Sequence, residues 1–364
     1  MFLSDIIINS AEAALQFQLN DGSFPPGMNG PYRDPETPVR NTAHWLITML
    51  KAYDISGDAK FRESAWMAVK YILSPVTRPM SATFFCRKKP DKDFCNGLMG
   101  QAWIIEALAI SGSELEDESH IELARNVFMM HPFDQQAGLW RRVNVDGSYN
   151  SFDMTFNHQL WFAAAGAMLC KRTDDEIASM IKIFMDRVLE TNLRVDSSGR
   201  IIHTIAWPSA KPKGIRKMIS YLRGFHHSQI TDSGMVSKEI GYHAFNMYAF
   251  SILKRCMSEH PLWKSDKFLS TLGFMDKSEF IQGLENNMYG YSYNLSGFET
   301  AFTIQEFRSQ FSFSKTEEWW MEQQLQRSYD PEMKMLNRST DDQETLSARL
   351  YEATRIRDMK VRIK

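Results

Sequence analysis

Segments with helical periodicity follow one another along this chain in pairs of unlike character. In 157–169 a polar start gives way to an almost wholly apolar run, and a helix that is apolar all round must be covered on every side. In 174–185 charged and apolar residues occupy opposite faces, which is typical of a surface helix with one buried stripe. The alternation predicts buried inner helices that are covered by amphipathic outer ones.

The pattern predicts twelve helices, which make six hairpins. They span 3–19, 40–55, 59–74, 97–112, 118–131, 155–171, 174–193, 238–258, a segment within 263–285, 299–310, 315–328 and 342–357. An all-α (α/α)6 toroid, with an inner ring inside an outer ring, satisfies both patterns, whereas a solenoid stack of helix pairs is the competing architecture. We expect a single domain over 1–358 and a flexible basic tail over 359–364.

The links between these helices are of two kinds. Links from an inner helix to the next outer one are short, whereas the links back to an inner helix are long and cover 20–39, 75–96, 132–154 and 194–237. Asp-Gly-Ser turns at 21–23 and 146–148, with a similar turn at 196–199, predict short β-hairpins in the long links. All long links then lie on one face, beside the N-termini of the inner helices. The basic segment 207–217 is either a solvated loop or a flap that attracts an acidic substrate.

Composition and charge narrow the class of protein. Hydrophobic residues make up 43% and charged residues 24% of the chain, as in soluble globular proteins. The net charge of -2 gives no drive toward nucleic acid or an anionic membrane. The four cysteines show no CxxC spacing, and no apolar run is long enough to span a membrane. The first residues lack a basic start and a long apolar core, so we expect that they are not a signal peptide. We therefore predict a cytoplasmic protein with reduced thiols.

Motifs that bind common cofactors are missing from the sequence. It has no GxxxxGK[ST] loop, no GxGxxG after a strand and no HExxH helix, so neither nucleotide chemistry nor a zinc site is indicated. We expect no cofactor and no metal.

Two stretches and the helical plan resemble known families. The twelve-helix plan resembles the (α/α)6-barrel, or six-hairpin glycosidase, superfamily over nearly the whole chain. This group includes glycoside hydrolases, unsaturated-uronate hydrolases, polysaccharide lyases and sugar epimerases. The stretches 94–108 (FCNGLMGQAWIIEAL) and 155–166 (TFNHQLWFAAAG) are similar to the agl-cluster family, which is associated with surface-polysaccharide genes. The resemblance implies a place in glycan metabolism and does not supply a reaction.

The polar starts of the inner helices supply candidate catalytic residues. Hydrolysis of a glycosidic bond needs two carboxyl groups, and we predict Asp153 and Glu299 as the acid and the base or nucleophile. His158 and Glu239 also open inner helices. As an alternative, His158 or a tyrosine is the base of a lyase or epimerase. A structural role, as helix cap, ion pair or buried core residue, competes with each assignment.

Further side chains at the same end offer hydrogen bonds, positive charge or aromatic faces to a sugar. The predicted substrate-binding residues are Arg40, Asn41, His44, Asn96, Gln101, Trp140, Arg142, Asn157, Trp161, His243 and Tyr293. We predict an enzyme that cleaves or modifies a uronate-containing oligosaccharide or polysaccharide in a surface-glycan pathway, with glycan-assembly proteins as partners. A noncatalytic glycan-binding or scaffold protein remains the alternative from another class.

Overall fold

The computed structural model of the protein describes residues 1–170, 175–205 and 232–363. The α-helices of this part are α1 (Leu3–Ala14), α2 (Val39–Ser56), α3 (Ala59–Leu73), α4 (Gly97–Glu114), α5 (Glu118–Met129), α6 (Phe156–Cys170), α7 (Asp175–Arg187), α8 (Asp232–Cys256), α9 (Asp266–Phe274), α10 (Ser278–Gly283), α11 (Ser296–Phe307), α12 (Glu317–Ser328) and α13 (Gln343–Ala348). Its strands are β1 (Phe133–Asp134), β2 (Leu139–Val143), β3 (Tyr149–Phe152), β4 (Tyr329–Asp330) and β5 (Met335–Leu336). The predicted helical segments are thus present, with two departures. The ninth is divided into α9 and α10, and the twelfth is α13 followed by a 3-10 helix over Arg349–Arg355.

The inner helices form a closed ring. α2, α4, α6, α8 and α11 contact one another in this order, α11 contacts the 3-10 helix Arg349–Arg355, and that helix contacts α2. The outer helices α3, α5, α7, α10 and α12 each pack on an inner one, and α1 packs on α2 and the 3-10 helix. The predicted (α/α)6 toroid is confirmed, and an open solenoid is excluded because the last inner segment returns to the first.

Burial explains why α6 is an inner helix. Most of its side chains are buried, with His158 among the exceptions. A Cβ atom on Gly166 would lie 2.4 Å from the ring of Phe128 on α5, so the absent side chain lets the outer helix pack closely. The apolar composition of 157–169 is therefore a consequence of cover on all sides.

The long links carry the predicted turns. Strands β1, β2 and β3 form an antiparallel sheet whose β2–β3 turn holds Asp146, and a bridge between Val195 and Ile201 flanks the turn at Asp196. The carboxylates of Asp21, Asp146 and Asp196 each accept from the backbone N–H and the hydroxyl of the serine two residues on, at 2.6–3.0 Å. The turn at Asp21 is closed by backbone hydrogen bonds but has no flanking strands.

The C-terminal segment differs from the expected flexible tail. The Leu3 amide donates to the Met359 carbonyl at 2.9 Å, and the Val361 amide donates to Met1 at 3.0 Å. Val361 is buried, because these contacts place it against the N-terminal segment. The expectation of a flexible tail, which rested on its basic residues, is therefore wrong for 359–363.

Two further expectations concern the outside of the fold. No helix among the described residues has both the length and the apolar character that a membrane span needs. The basic segment 207–217 lies outside the described residues.

Candidate active site

A cavity of about 170 Å³ opens among α4, α6, α8 and the long links. Four predicted site residues line it, namely Asn96, Asn157, His158 and Tyr293. Seven further lining residues come from the links: Asn29, Tyr32, Asp34, Arg87, Lys92, Thr155 and His203. The remaining ones come from helices: Met99, Trp103, Lys238, Tyr242 and Phe245. The polar starts of inner helices thus meet in one cavity.

His158 is held by a carboxylate. Its Nδ1 lies 2.8 Å from Oδ2 of Asp153, which precedes α6. Because an ionised carboxylate only accepts hydrogen bonds, Nδ1–H is the donor and Nε2 carries the lone pair of the neutral ring. Among the described residues no side chain bonds Nε2 of His158, and the ring is one of the walls of the cavity. The pair can therefore present a proton acceptor to a ligand.

Asp153 is kept ionised by its neighbours. Burial alone favours the protonated acid, but the charge and the hydrogen bond of His158 and the charge of Arg142 hold the pKa of Asp153 well below its usual range. Its carboxylate also accepts from the amides of Leu98 at 3.3 Å and Thr155 at 3.2 Å. A carboxyl group bound in this way orients the imidazole and is a poor proton donor.

A glycine makes room for this pair. Gly97 starts α4 with φ +60°, and a Cβ atom there would lie 2.6 Å from Oδ2 of Asp153 and 3.1 Å from Nδ1 of His158. Only glycine adopts such a backbone without strain. The Asn96–Gly97 start of α4 therefore allows the carboxylate of another link to reach the Leu98 amide.

A second histidine lies beside the first. The Phe156 amide donates to the carbonyl of His203 at 2.9 Å, which ties this link to the start of α6. Burial, with smaller contributions from the charges of Lys238 and His158, lowers the pKa of His203 well below its usual value. The imidazole of His203 is therefore neutral at pH 7.

Glu239 braces the link that carries His203. Its carboxylate accepts from the His203 amide and from Nε of Arg200, each at 3.1 Å. It is absent from the described lining of the cavity. The structure therefore places this predicted catalytic acid behind the cavity wall.

Positive charge outweighs negative charge in the described lining, with Arg87, Lys92 and Lys238 against Asp34. The Asp34 carboxylate lies 2.8 Å from Nζ of Lys92. Arg87 lies 3.1 Å from Asp93, which also binds Arg142 at 3.1 Å. Arg142 is thus part of an ion-pair network at the rim. The excess of cations favours an anionic ligand.

Glu299 lies in a separate network. It is fully buried, and its carboxylate binds Arg349 at 2.8 Å. Arg349 also binds Glu352 at 2.6 Å and the amide oxygen of Asn294 at 2.7 Å. Burial, and then the charge of Glu352, raises the pKa of Glu299 well above its usual value. The structure does not bring Glu299 and Asp153 together in one cavity wall.

Three predicted residues of α2 are buried beside the cavity. Arg40 binds Glu36 at 3.2 Å and stacks on Trp103, with its guanidinium 4.0 Å from the ring centroid. His44 stacks on Tyr351 at 4.2 Å, and burial lowers its pKa well below the usual value. The amide of Asn41 donates to the carbonyl of Pro25 at 2.9 Å. Each has a structural role.

The two predicted tryptophans are core residues. Trp140 is fully buried and contacts Phe128, Phe133 and other rings. Trp161 donates from Nε1 to the Phe245 carbonyl at 3.2 Å. Neither ring is available as a platform for a sugar.

Gln101 and His243 connect backbone segments. The Gln101 amide accepts from the Phe84 amide at 2.8 Å and donates to the Cys95 carbonyl at 2.8 Å. Nε2 of His243 lies 2.9 Å from the Thr271 carbonyl. Gln101 thus ties α4 to the link 75–96, and His243 ties α8 to α9.

Sequence reasoning missed Lys238 and Tyr242, although it chose Glu239 and His243 one position further on. The pairs 238/242 and 239/243 are both spaced by one helical turn, so the spacing alone does not show which pair faces the cavity. His203 lies in a link without periodicity and gave no signal at all. Among the described residues no group of three or more His, Cys, Asp or Glu is arranged to hold a metal ion.

One relative matches the whole chain. Over 371 residues the chain is 40% identical to archaeal glycosylation protein Q of Haloferax volcanii, with 99% of this chain and 98% of the relative covered. No family model matches the chain.

Solved structures share the fold at low identity. A sugar epimerase from a ruminal bacterium matches with a TM-score of 0.67 and 12% identity, covering 96% of this chain and 97% of the epimerase. D-mannose isomerase matches with a TM-score of 0.64 and 12% identity, covering 96% of each chain. An unsaturated glucuronyl hydrolase specific for heparin matches with a TM-score of 0.63 and 11% identity, covering 97% of this chain and 94% of the hydrolase. These matches confirm the resemblance to the six-hairpin fold.

Proposed function

Because the chain belongs to the family of archaeal glycosylation protein Q, we propose that it is a carbohydrate-active enzyme of a glycan pathway, in which His158 moves a proton on an acidic sugar unit. Membership of this family agrees with the narrower resemblance to the agl-cluster family. An epimerase, an isomerase and a glucuronyl hydrolase share the fold. Since a fold does not fix a reaction, the proposal depends on the site.

The observation that carries the proposal is the contact of 2.8 Å between Asp153 and Nδ1 of His158, which leaves Nε2 as an acceptor beside the cavity. Nε2 takes a proton from a sugar carbon next to a carbonyl or carboxylate group, and the electron pair of the C–H bond moves toward that group. Asp153 stabilises the imidazolium that forms, and the cationic lining stabilises the negative charge on oxygen.

Two outcomes complete this step. Return of a proton from solvent to the other face of the same carbon makes the protein an epimerase, and return of a proton from the imidazolium of His158 to the neighbouring carbon makes it an isomerase. Loss of the oxygen substituent from the next carbon, which carries away the electron pair, makes it a lyase. Both begin with the same base and the same proton, so the loss of His158 should abolish either outcome.

The size and the lining of the cavity support an acidic sugar as the ligand. Its volume of about 170 Å³ lies below the roughly 300–1,000 Å³ of pockets for drug-sized ligands, which is consistent with one sugar unit. Tyr32, Tyr242 and Trp103 line it and offer aromatic faces to a sugar ring.

Hydrolysis by Asp153 and Glu299 has less support. Asp34 is the carboxylate in the described lining, and it is bound by Lys92 and Lys89 at 2.8 and 3.0 Å. Asp153 is occupied by His158, and Glu299 is occupied by Arg349. The alternative that used a histidine base fits these contacts better.

The test follows solvent exchange on defined acidic oligosaccharides. The purified protein is incubated in D2O with glucuronate- and galacturonate-containing oligosaccharides, and NMR, ultraviolet absorbance of unsaturated products and reducing ends are recorded. We expect deuterium at the carbon next to the carboxylate or an unsaturated product. His158→Gln should lower the rate by about 10²–10⁴-fold.

His120→Gln is the matched control, because His120 is a buried histidine on α5 that contacts Ser111 at 3.1 Å away from the cavity lining. It should keep the activity. New reducing ends without deuterium or unsaturation would instead indicate hydrolysis. Binding of these glycans without any product would indicate the noncatalytic alternative.

A further inference from the structure

Lys238 differs from the other cations of the cavity. Its ammonium lies 5.4, 5.9 and 6.0 Å from the ring centroids of Tyr32, Tyr242 and Tyr289. These three tyrosines come from the first long link, from α8 itself and from the link after α10, so the fold builds a cage around the lysine. We call this group the tyrosine cage. It is a common way of holding an ammonium group that has lost part of its water.

The two other cations of the described lining already have anionic partners. Lys92 binds Asp34 at 2.8 Å, and Arg87 binds Asp93 at 3.1 Å. Among the residues that the structure describes, no Asp or Glu lies within salt-bridge distance of Lys238. Of the three cations in the described lining, Lys238 is therefore the one without a counter-ion among the described residues.

Holding the Lys238 ammonium in this position costs free energy, because the group has lost part of its hydration. An anionic ligand can offset this cost. Desolvation, and then the charge of Lys92, lowers the pKa of Lys238 to about 8. Cation–π contacts offset part of the lost hydration. An anion that enters the cavity supplies the missing counter-ion, and a charge-assisted hydrogen bond in such surroundings is stronger than one in water.

We propose that Lys238 is the specificity residue of the cavity, and that its ammonium binds the carboxylate of a uronic acid unit. The inference rests on the proposed function for the sugar, and it assigns the acid group of that sugar to one residue. A phosphate group of a sugar phosphate has related chemistry, so the experiment compares both anions. Carboxylate is favoured because one caged ammonium matches one negative charge.

The test measures binding, so that it does not depend on turnover. Calorimetry is carried out with glucuronate, with glucuronate methyl ester as the neutral analogue, and with glucose 6-phosphate. The wild type should bind glucuronate at least about 10-fold more tightly than the ester, which corresponds to about 1.4 kcal/mol. Lys238→Met should abolish this preference, and Lys238→Arg should retain part of it.

Lys254→Met is the matched control, because Lys254 lies on the same helix α8 and its ammonium binds the Ser258 carbonyl at the exposed far end. It should leave the preference unchanged. Lys238→Met removes a charge that no carboxylate of the described residues balances, so the variant should stay folded, which thermal unfolding verifies.

The pH dependence of binding provides a second readout. The affinity for glucuronate should fall as the pH rises above about 8, because Lys238 then loses its proton, and Lys238→Arg should remove this fall. Burial raises the pKa of Tyr32, Tyr242 and Tyr289, so these rings stay neutral in that range. Lys92 stays bound to Asp34, and His203 is neutral on both sides of pH 8.

Three results would overturn the assignment. Equal binding of acid and ester, or a preference that survives Lys238→Met, would show that Lys238 does not select the anion. Tighter binding of glucose 6-phosphate than of glucuronate would assign the position to phosphate. If no proton exchange is found but the preference for glucuronate depends on Lys238, the proposed reaction is refuted and this inference stands.

Discussion

Two groups of three ionisable side chains, both on or next to the inner helices, have opposite character. The first, the cavity group, consists of Asp153, His158 and Lys238. The second, the buried ion cluster, consists of Glu299, Arg349 and Glu352, whose side chains are no more than 2% exposed. In the cluster the charges face one another, whereas in the cavity group His158 and Lys238 present a lone pair and a positive charge to the cavity.

Burial favours the protonated form of the carboxyl groups in both regions, but the net shifts of their pKa values are opposite. His158 and Arg142 overcome burial and lower the pKa of Asp153. In the cluster burial prevails over the opposing charge of Arg349 and raises the pKa of Glu352 to about 7. Two carboxyl groups that share one arginine therefore hold a proton near neutral pH, while a carboxyl group beside a histidine stays ionised. The partners of a carboxyl group thus determine whether it orients a catalytic base or stabilises the packing of the inner helices.

Removing the arginine of the buried ion cluster should give the largest effect. Arg349→Met leaves Glu299 and Glu352 without a cation, and breaking a buried ion pair in this way costs about 3–5 kcal/mol. The free energy of unfolding in urea measures the loss. Arg308→Met is the control, because its ion pair with Glu317 at 3.1 Å is half-exposed, and it should cost at most about 1 kcal/mol. Equal losses in the two variants would contradict the contrast between the regions.

In the cavity group, Asp153→Asn should lower activity. The amide of asparagine donates where the carboxylate accepts, so it favours the wrong tautomer of His158. Removing a group that orients a histidine typically costs about 10–100-fold, or about 1.4–2.7 kcal/mol. The rate of deuterium exchange on glucuronate oligosaccharides measures the change. An unchanged rate would show that Asp153 is only a helix cap.

The pH dependence of stability should separate the regions further. A folded-state pKa of about 7 for Glu352 lies above the usual unfolded value of about 4.3. The folded protein therefore keeps a proton that the unfolded chain loses, and the stabilisation is complete below about pH 4 and is lost as the pH rises through 7. Between pH 5 and pH 8 this amounts to about 3 kcal/mol.

Glu352→Gln should remove that pH-dependent part. Urea unfolding of both proteins at pH 5 and pH 8 measures it as a difference of differences, so that titrating groups outside the buried ion cluster cancel. The same slope in both proteins would show that Glu352 is ionised throughout this range.

A glycine substitution should give the smallest effect on stability. Gly97→Ala and Gly57→Ala both place alanine at a left-handed φ, of +60° and +70°, but a Cβ atom on Gly57 meets nothing within 4 Å. Gly57→Ala should cost about 1 kcal/mol. Gly97→Ala should cost about 1 kcal/mol more and should slow proton exchange, because its methyl group displaces Asp153. Equal stability and activity of the two variants would argue against a tight fit at the pair.

Several residues of the candidate site could be predicted from the sequence. Asn96, Asn157 and His158 open inner helices, and the ring closure that the alternation implied brings them to one cavity. Glu239 and His243 lie on the inner helix α8 as well, but they bind the link residues 201 and 203 and helix α9 and are absent from the described lining of the cavity. A difference of one position changes the direction of a helical side chain by about 100°. The pattern of an almost wholly apolar helix does not show which of its positions face the cavity.

The sequence by itself determined which helices are inner and which are outer, because cover on all sides and cover on one side leave different periodic patterns in every hairpin. Only the tertiary structure decided which polar groups are satisfied by the protein and which are left for a ligand. The partners that decide this are distant along the chain. Glu299 and Arg349 are 50 residues apart, and the hydroxyls of Tyr32 and Tyr242, which meet at 2.8 Å beside Lys238, are 210 residues apart. Local sequence patterns determine which residues are buried. Which charged groups become partners depends on how the ring of helices closes.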